Sequence, residues 1–470
     1  MSMPDESPVP MRRGSTLGTA IAWVMILAFT GLVARVQMFQ PDPAVEAGRL
    51  EQAMLEFQAR YLVGSASLLG EQAAEPLERQ IESWRPPSAW QQTRVAILAG
   101  ELIGAEAALE RLRAVETSPQ VADDPIHDPA VHDALVRLYE DYSADRLGGP
   151  SVAEEEREQL RRQLGWLGKL ALAPPGSDTP QRQQVIATAR RTFYAVIGGV
   201  AAIGLVGLIG SVVLVAFVVL LLRGAVSGLQ PAPQRSGVYA EGFACWLVLF
   251  LALSAVAGLL FGPEAVGAAA LLPMVGSMLA FGWPLVRGVS WKQLCEDVGW
   301  TRGRRLGVEL AAGFGCYAMA IPLVFAAVIL TGIALGLAGN GAPYNGTRGH
   351  PAADWLAYGT WWEQAQLLLL ACVIAPVVEE TAFRGLLYRH LRDATRRMRL
   401  WSSTLLSALV SSLLFALLHP QGILAVPVLT GIALALAFMR EWRGTLVPSI
   451  FAHGLNNALV MAVLIMTLSA

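Results

Sequence analysis

Charge is what this chain has least of. Of 470 residues only 15% are Asp, Glu, Lys or Arg while 54% are hydrophobic, and the mean hydropathy is +0.47. That balance is too apolar for an ordinary soluble domain. Cysteine is scarce as well: Cys245, Cys316 and Cys372 lie in apolar runs and Cys295 in what reads as a short polar loop, which gives neither a disulfide framework nor a zinc spacing. The three thiols in apolar runs read as core filler. The net charge of −2 is made of acidic and basic residues grouped by region, without one basic face, so no nucleic-acid partner is expected. The H-E-x-x-H helix of familiar zinc proteases is missing too. What is present in quantity is long apolar sequence, and the expected class is an all-α, polytopic helical membrane protein.

A first apolar stretch, residues 16–36, follows Arg12 and Arg13 and is long enough to cross a bilayer. It lacks an evident small-residue cleavage pattern before Gln37 and Gln40 and reads as a retained anchor. Residues 41–191 are soluble in composition and read as a helical module. Leu50, Met54, Phe57 and Tyr61 keep one helix face, as do Leu98, Leu102, Ala105, Leu109 and Leu112. Ser151 with Glu154 predicts a capping box opening a helix that carries Leu160, Leu164 and Leu167. Asp123, Asp124, His127 and Asp128 could suggest a metal site, but the interleaved prolines favour a solvated turn.

Beyond Arg191 the apolar segments 193–222, 239–261, 265–286, 306–337, 364–388, 401–418, 423–439 and 446–468 bring the expected crossings to about nine. The domain expectation is an anchor with its tail at 1–40, the module at 41–191 and a polytopic domain at 192–470. Gly199, Gly204, Gly207 and Gly210 are expected to let a neighbouring helix approach. Three short loops are expected to carry the basic residues: Arg287, Lys292, Arg302, Arg304 and Arg305; then Arg389, Arg392, Arg396, Arg397 and Arg399; then Arg440 and Arg443. Alternating spans put all three on one side, the cytoplasmic one. The module, and a loop with Trp355, Tyr358, Trp361 and Trp362, are then expected outside the cytoplasm. Arg190 and Arg191 run against this assignment.

Polar groups in the last apolar third carry the chemistry. They read Glu379-Glu380-Thr381-Ala382-Phe383-Arg384, then Phe415 with His419, then His453 with Asn457. An ionisable side chain at the bilayer centre costs about 2.5–3.5 kcal/mol on insertion scales, so such a set implies a polar interior with a task. Glu380 and Arg384 share a helix face, whereas Glu379 is rotated away. The expectation is that Arg384 neutralises Glu380 and leaves Glu379 as an unpaired carboxyl, raised in pKa and suited to general-base work. Pro420 should end the helix at His419 and orient the imidazole, with Phe415 lining the wall. His453 and Asn457, again on one face with Gly454 between them, can donate to an oxyanion. Asn456 is offset and is expected to make an interhelical contact.

E-E-x-x-x-R, F-x-x-x-H and H-x-x-x-N, in this order on hydrophobic segments, resemble the CPBP family of intramembrane proteases. That family includes type II CAAX prenyl endopeptidases and proteins of bacteriocin immunity and lysostaphin resistance. The resemblance covers residues 363–470 and implies an intramembrane endopeptidase acting on a membrane-associated protein or peptide. It implies water activation by Glu379 and His419, oxyanion stabilisation by His453 and Asn457, and a supporting role for Glu380 and Arg384. No cofactor is the preferred expectation; zinc held by Glu379, His419 and His453 is the alternative. A non-proteolytic scaffold or immunity factor, or a proton-coupled transporter, are the competing classes, although the inverted repeats usual in transporters are not seen. The expected setting is a bacterial inner membrane, with the lipid bilayer as partner and the module available to an unknown protein.

Overall fold

The computed structural model describes residues 15–39, 47–84, 86, 88–116, 124, 126–226, 229, 236–261, 266–338, 356 and 359–468. Within them every regular element is helical. Contacts divide the chain into two compact units, Met1–Pro43 with Ile203–Ile465, and Ala44–Ala202 with Met466–Ala470.

The second unit contains α2 (Ala47–Leu69), α3 (Glu71–Ser83), α4 (Ala89–Leu102), α5 (Ala105–Glu116), α6 (Pro129–Ser143) and α7 (Glu154–Ala171), together with the beginning of α8 (Pro180–Leu222). Its core gathers Leu55, Ala59, Leu62, Leu98, Leu112, Leu135, Leu160 and Leu167. Three local expectations need correcting. The face that α2 buries is Leu55, Ala59 and Leu62, with Met54 47% exposed. The row from Leu98 to Leu112 is two helices, α4 and α5, separated by Gly104 at a φ of 143° that other residues rarely adopt. At the start of α7 the Glu156 carboxylate accepts from Ala153 N at 2.9 Å, whereas Ser151 N and Oγ donate to Asp141 at 2.7 and 2.8 Å. The capping carboxylate is therefore two residues further on than expected. Asp128 caps α6 through Ala130 N at 2.9 Å, and Asp124 accepts from Trp90 N and Ile126 N. These two acids serve turns and a cap; Asp123 lies outside the described residues.

The first unit is a membrane-spanning bundle. Eight helices in the chain are long and apolar enough to cross a bilayer, or nine if one bent pair counts as a span, among the described residues. They are α1 (Thr16–Phe39), α8, α9 (Ser236–Leu260), α13 (Leu306–Ala338), α14 (Trp361–Ala394), α15 (Leu400–Leu418), α16 (Val426–Arg443) and α17 (Val447–Leu468). Segment 265–286 runs as α10 (Val266–Gly276), a 3₁₀ stretch and α11 (Trp283–Val286), and after Val286 the chain bends by 118° into α12 (Trp291–Val298), the bent pair that would make the ninth span. Pro273 and Pro284 remove two helical donors from this segment. Cys295, expected in a loop, sits on α12. The first apolar helix is a packed part of the bundle, because Ala22 and Ile26 of α1 share a core with Phe243, Phe281 and Phe383. Trp23 Nε1 also donates to His390 Nε2 at 3.0 Å. Gly207 and Gly210 of α8 press against Ile321 and Ala318 of α13, while Gly199 and Gly204 face nothing within 4 Å.

Four arginines counted as loop charges lie inside helices and serve the fold. Arg392 pairs with Glu441 at 2.8 Å, Arg389 with Asp297 at 3.1 Å and Arg443 with Glu309 at 2.8 Å, while the fully buried Arg440 donates to Asp297 O at 2.9 Å. Breaking one partner of such a buried pair typically costs about 3–5 kcal/mol. This network ties α12, α13, α14 and α16 together. Lys292, Arg302, Arg304, Arg305, Arg396, Arg397 and Arg399 remain exposed. Trp361 and Trp362 are exposed at the start of α14, whereas Trp355 and Tyr358 lie outside the described residues.

Candidate active site

Helix α14 carries the two glutamates between two wide turns. π-Helical stretches at Leu370–Ile374 and Thr381–Leu387 flank the α-helical Ala375–Glu380. Such widened turns shift the phase of the side chains that follow and release backbone groups. Pro376 has no N–H to offer the carbonyl of Cys372 four residues earlier. That carbonyl faces Gly454 of α17, where a Cβ would stand 2.5 Å from it. One residue before, Ala371 O accepts from Asn457 Nδ2 at 2.8 Å. The π turn thus docks α17 onto α14, and Gly454 is small because a backbone oxygen occupies its side-chain space. Asn457 makes the interhelical bond expected of Asn456, whose Nδ2 donates to Asn457 Oδ1 at 3.3 Å.

On the next turn Glu380 and Arg384 pair at 2.8 Å, both fully buried, and Arg384 Nη2 also donates to Ala433 O of α16 at 3.1 Å. The same carboxylate oxygen of Glu380 stands 3.0 Å from His453 Nδ1. Glu380 therefore has two partners where spacing along one helix predicted one. Glu379, 17% exposed, points to a different face and lies between both imidazoles, with Oε2 at 3.6 Å from His419 Nε2 and 3.7 Å from His453 Nε2. The expectation of an unpaired Glu379 carboxyl is not met, since two ring nitrogens face it.

His419 closes α15 as its C-cap, in extended conformation with ψ 140°, as the following Pro420 requires. Its Nδ1 is 2.7 Å from Phe415 O. A carbonyl can only accept, so Nδ1 carries the proton and Nε2 is the nitrogen turned to Glu379. Phe415 does more than line a wall. Its ring lies 4.0 Å from that of His419 and edge-on to His453 at 5.8 Å, and Arg384 Cζ sits 4.6 Å from its centre. The ring gives Arg384 a desolvated cation–π seat while fixing both imidazoles.

All seven residues singled out from the motifs, Glu379, Glu380, Arg384, Phe415, His419, His453 and Asn457, meet at the junction of α14, α15 and α17. Residues 361–459 match the type II CAAX prenyl endopeptidase Rce1-like family. The matched stretch holds all three motifs and most of α14–α17. No curated protein and no solved structure matches the chain at a significant level. Over that stretch the match agrees with the CPBP resemblance, and the many apolar helices describe an integral, multi-pass membrane protein.

For zinc, Glu379, His419 and His453 are the right residue types, and each Nδ1 is held by an oxygen in the manner of a ligating imidazole. Glu379 Oε2 lies 3.6 and 3.7 Å from the two Nε2 atoms, and among the described residues no group of three or more His, Cys, Asp or Glu side chains is placed to hold a metal ion. The acceptor role of Ala371 O and Ala433 O went unseen in the sequence. For the contact at Ala371, Pro376, three residues before Glu379, was the available signal, since proline inside a span frees a carbonyl for a neighbouring helix; nothing local marks Ala433 O.

Proposed function

We propose that the chain is an intramembrane endopeptidase that hydrolyses a peptide bond of a membrane-associated protein or peptide with a water activated by Glu379 and His419. The observation carrying this reading is the approach of two imidazole Nε2 atoms to one carboxylate oxygen, at 3.6 and 3.7 Å. A water seated against these atoms can donate one hydrogen to Glu379 and the other to His419 Nε2. Its oxygen then bonds to the scissile carbonyl carbon as Glu379 takes its proton. The carbonyl electron pair moves onto oxygen, and when the intermediate collapses the proton held by Glu379 passes to the leaving amine.

The oxyanion donors are His453 and the second amide hydrogen of Asn457, the first being committed to Ala371 O. With Nδ1 donating to Glu380, His453 can also donate from Nε2 only as the imidazolium. Donors held in place in a water-poor pocket supply several kcal/mol to a transition state. Glu380 and Arg384 hold the geometry.

The test uses the full chain in lipid nanodiscs with a quenched-fluorescent peptide ending in a farnesylated CAAX sequence, the substrate type in the description of the matched family. The reading expects turnover that survives exhaustive chelation with sub-stoichiometric transition metal. Absence of cleavage, or loss on chelation restored by zinc, would overturn the substrate class or the metal-free step respectively.

A further inference from the structure

The turn on which Glu379 and Glu380 stand is tied by a side chain. Thr381, 1% exposed and first in the second π-helical stretch, donates its hydroxyl to Val377 O at 2.7 Å. That hydroxyl in turn accepts from Trp300 Nε1 at 3.1 Å. An indole N–H can only donate, so the Thr381 proton is directed to Val377 O and its rotor has one setting. A threonine bonded back to the carbonyl four residues earlier tends to bend its helix. Here the bend falls on the residue after the two glutamates, where the helix widens.

Trp300 belongs to a three-residue segment, Gly299-Trp300-Thr301, that also holds the entrance to α17. Gly299 ends α12 in the left-handed conformation at a φ of 92°. Its carbonyl accepts from Leu446 N at 3.0 Å and from Thr445 Oγ1 at 3.3 Å, and Thr301 O accepts from the same hydroxyl at 2.6 Å. The indole rests against Phe281 and Trp291, with ring centres 6.3 and 5.8 Å apart. Just before it, Val298 presses on Gly385 of α14, where a Cβ would stand 2.6 Å from the valine. One short segment is therefore bonded to the helix of Glu379 and Glu380 and to the start of the helix of His453. The contacts of His453 with Glu379 and Glu380, at 3.7 and 3.0 Å, join the same two helices.

Resting on the endopeptidase reading above, we infer that Trp300 is a positioning residue for the hydrolysis, its N–H acting through Thr381 to fix the direction of the Glu379 carboxylate toward the two imidazoles. The effect is on geometry and not on affinity. Misplacing a reacting group by 1 Å can cost about a hundredfold in rate.

The test uses full chains in nanodiscs. Trp300→Phe keeps an aromatic ring against Phe281 and Trp291 but removes the donor; Thr381→Val keeps the shape and removes the hydroxyl; Thr381→Ser keeps the hydroxyl. Each of the first two should lower kcat on the farnesylated CAAX reporter about ten- to a hundredfold with KM nearly unchanged. Their combination should lose no more than either alone, because both break one chain of bonds, and Thr381→Ser should keep most of kcat. Thr381→Val carries the same prediction from the other end of the bond should Trp300→Phe not fold. A second readout needs no turnover: in nitrogen NMR of histidine-labelled chains, the His419 and His453 imidazole resonances should move in Trp300→Phe and Thr381→Val and stay in place in Thr381→Ser. Wild-type kcat in the folded variants, losses that add in the double variant, or unmoved imidazole resonances would overturn the assignment. A wild-type chain that binds the reporter and never cleaves it counts against the endopeptidase reading, and the imidazole resonances then decide the positioning role.

Discussion

Glu380 Oε1 accepts from Arg384 at 2.8 Å and stands 3.0 Å from His453 Nδ1, joining α14 to α17 through one fully buried carboxylate. On the present account Arg384→Ala lowers the folded yield sharply, because it strands Glu380, a loss of about 3–5 kcal/mol. The double variant Glu380→Gln/Arg384→Met removes both charges, so folded yield recovers while cleavage does not, since His453 has lost its counter-carboxylate. Size-exclusion yield and reporter turnover separate the two effects. Normal yield of Arg384→Ala would contradict the structural role of the pair.

Gly454 faces a main-chain oxygen that cannot swing away. Gly454→Ala places a Cβ 2.5 Å from Cys372 O, well inside van der Waals contact, and forces α14 and α17 apart. A loss of about 1–3 kcal/mol is expected, as for other overpacked contacts. Activity should fall as well, because Asn457 is pulled from Ala371 O. Thermal unfolding in detergent measures the first effect. An unchanged midpoint would mean the helices are not held this closely.

The helical module should weaken in acid. His132 is buried, and its pKa is lowered from the ordinary 6.5 by burial first and then by His127, against the opposing pull of Glu116 and Asp133. The folded form therefore takes up a proton less readily than the unfolded chain. Its contribution is full above about pH 6.5 and is lost as pH falls through the lowered value. Hydrogen exchange in α6, corrected for intrinsic chemistry, should show protection falling between pH 7.5 and 5.5, and His132→Phe should flatten that fall. Equal pH dependence in both proteins would contradict it.

The module is proposed to lie outside the cytoplasm. Seven basic residues of the short inter-helix stretches remain exposed after Arg389, Arg392, Arg440 and Arg443 are assigned to buried networks, and their positions keep the same alternation. Glu155→Cys, at an exposed position of α7, should react with a membrane-impermeant thiol reagent on intact cells. Reaction only after lysis would invert the topology.

Much of the site was legible because its rules are local. Pro420 ends α15 by sterics that any sequence shows, and the Glu380–Arg384 spacing forces contact on a helix. The apolar runs announced nearly all the spans. What stayed hidden depends on partners far along the chain. His453 reaches Glu380 across 73 residues and Asn457 reaches Ala371 across 86. The π turns came from the frustration of Pro376 and from packing, neither of which follows from periodicity. In the module, Ser151 met the capping pattern, yet Asp141 offered it a better acceptor from another helix. Basic residues were read as loop charges because sequence does not reveal which carboxylates they will meet.

The central claim is that Glu379 is the base of a peptide hydrolysis within the membrane. Its most direct test compares reporter turnover by wild type and Glu379→Gln, both as full chains in nanodiscs and both shown to be folded by thermal unfolding. The account predicts a fall in kcat of about 10²–10⁴-fold, the usual contribution of a positioned general base, with reporter binding preserved. Glu379→Gln turning over at the wild-type rate would contradict it.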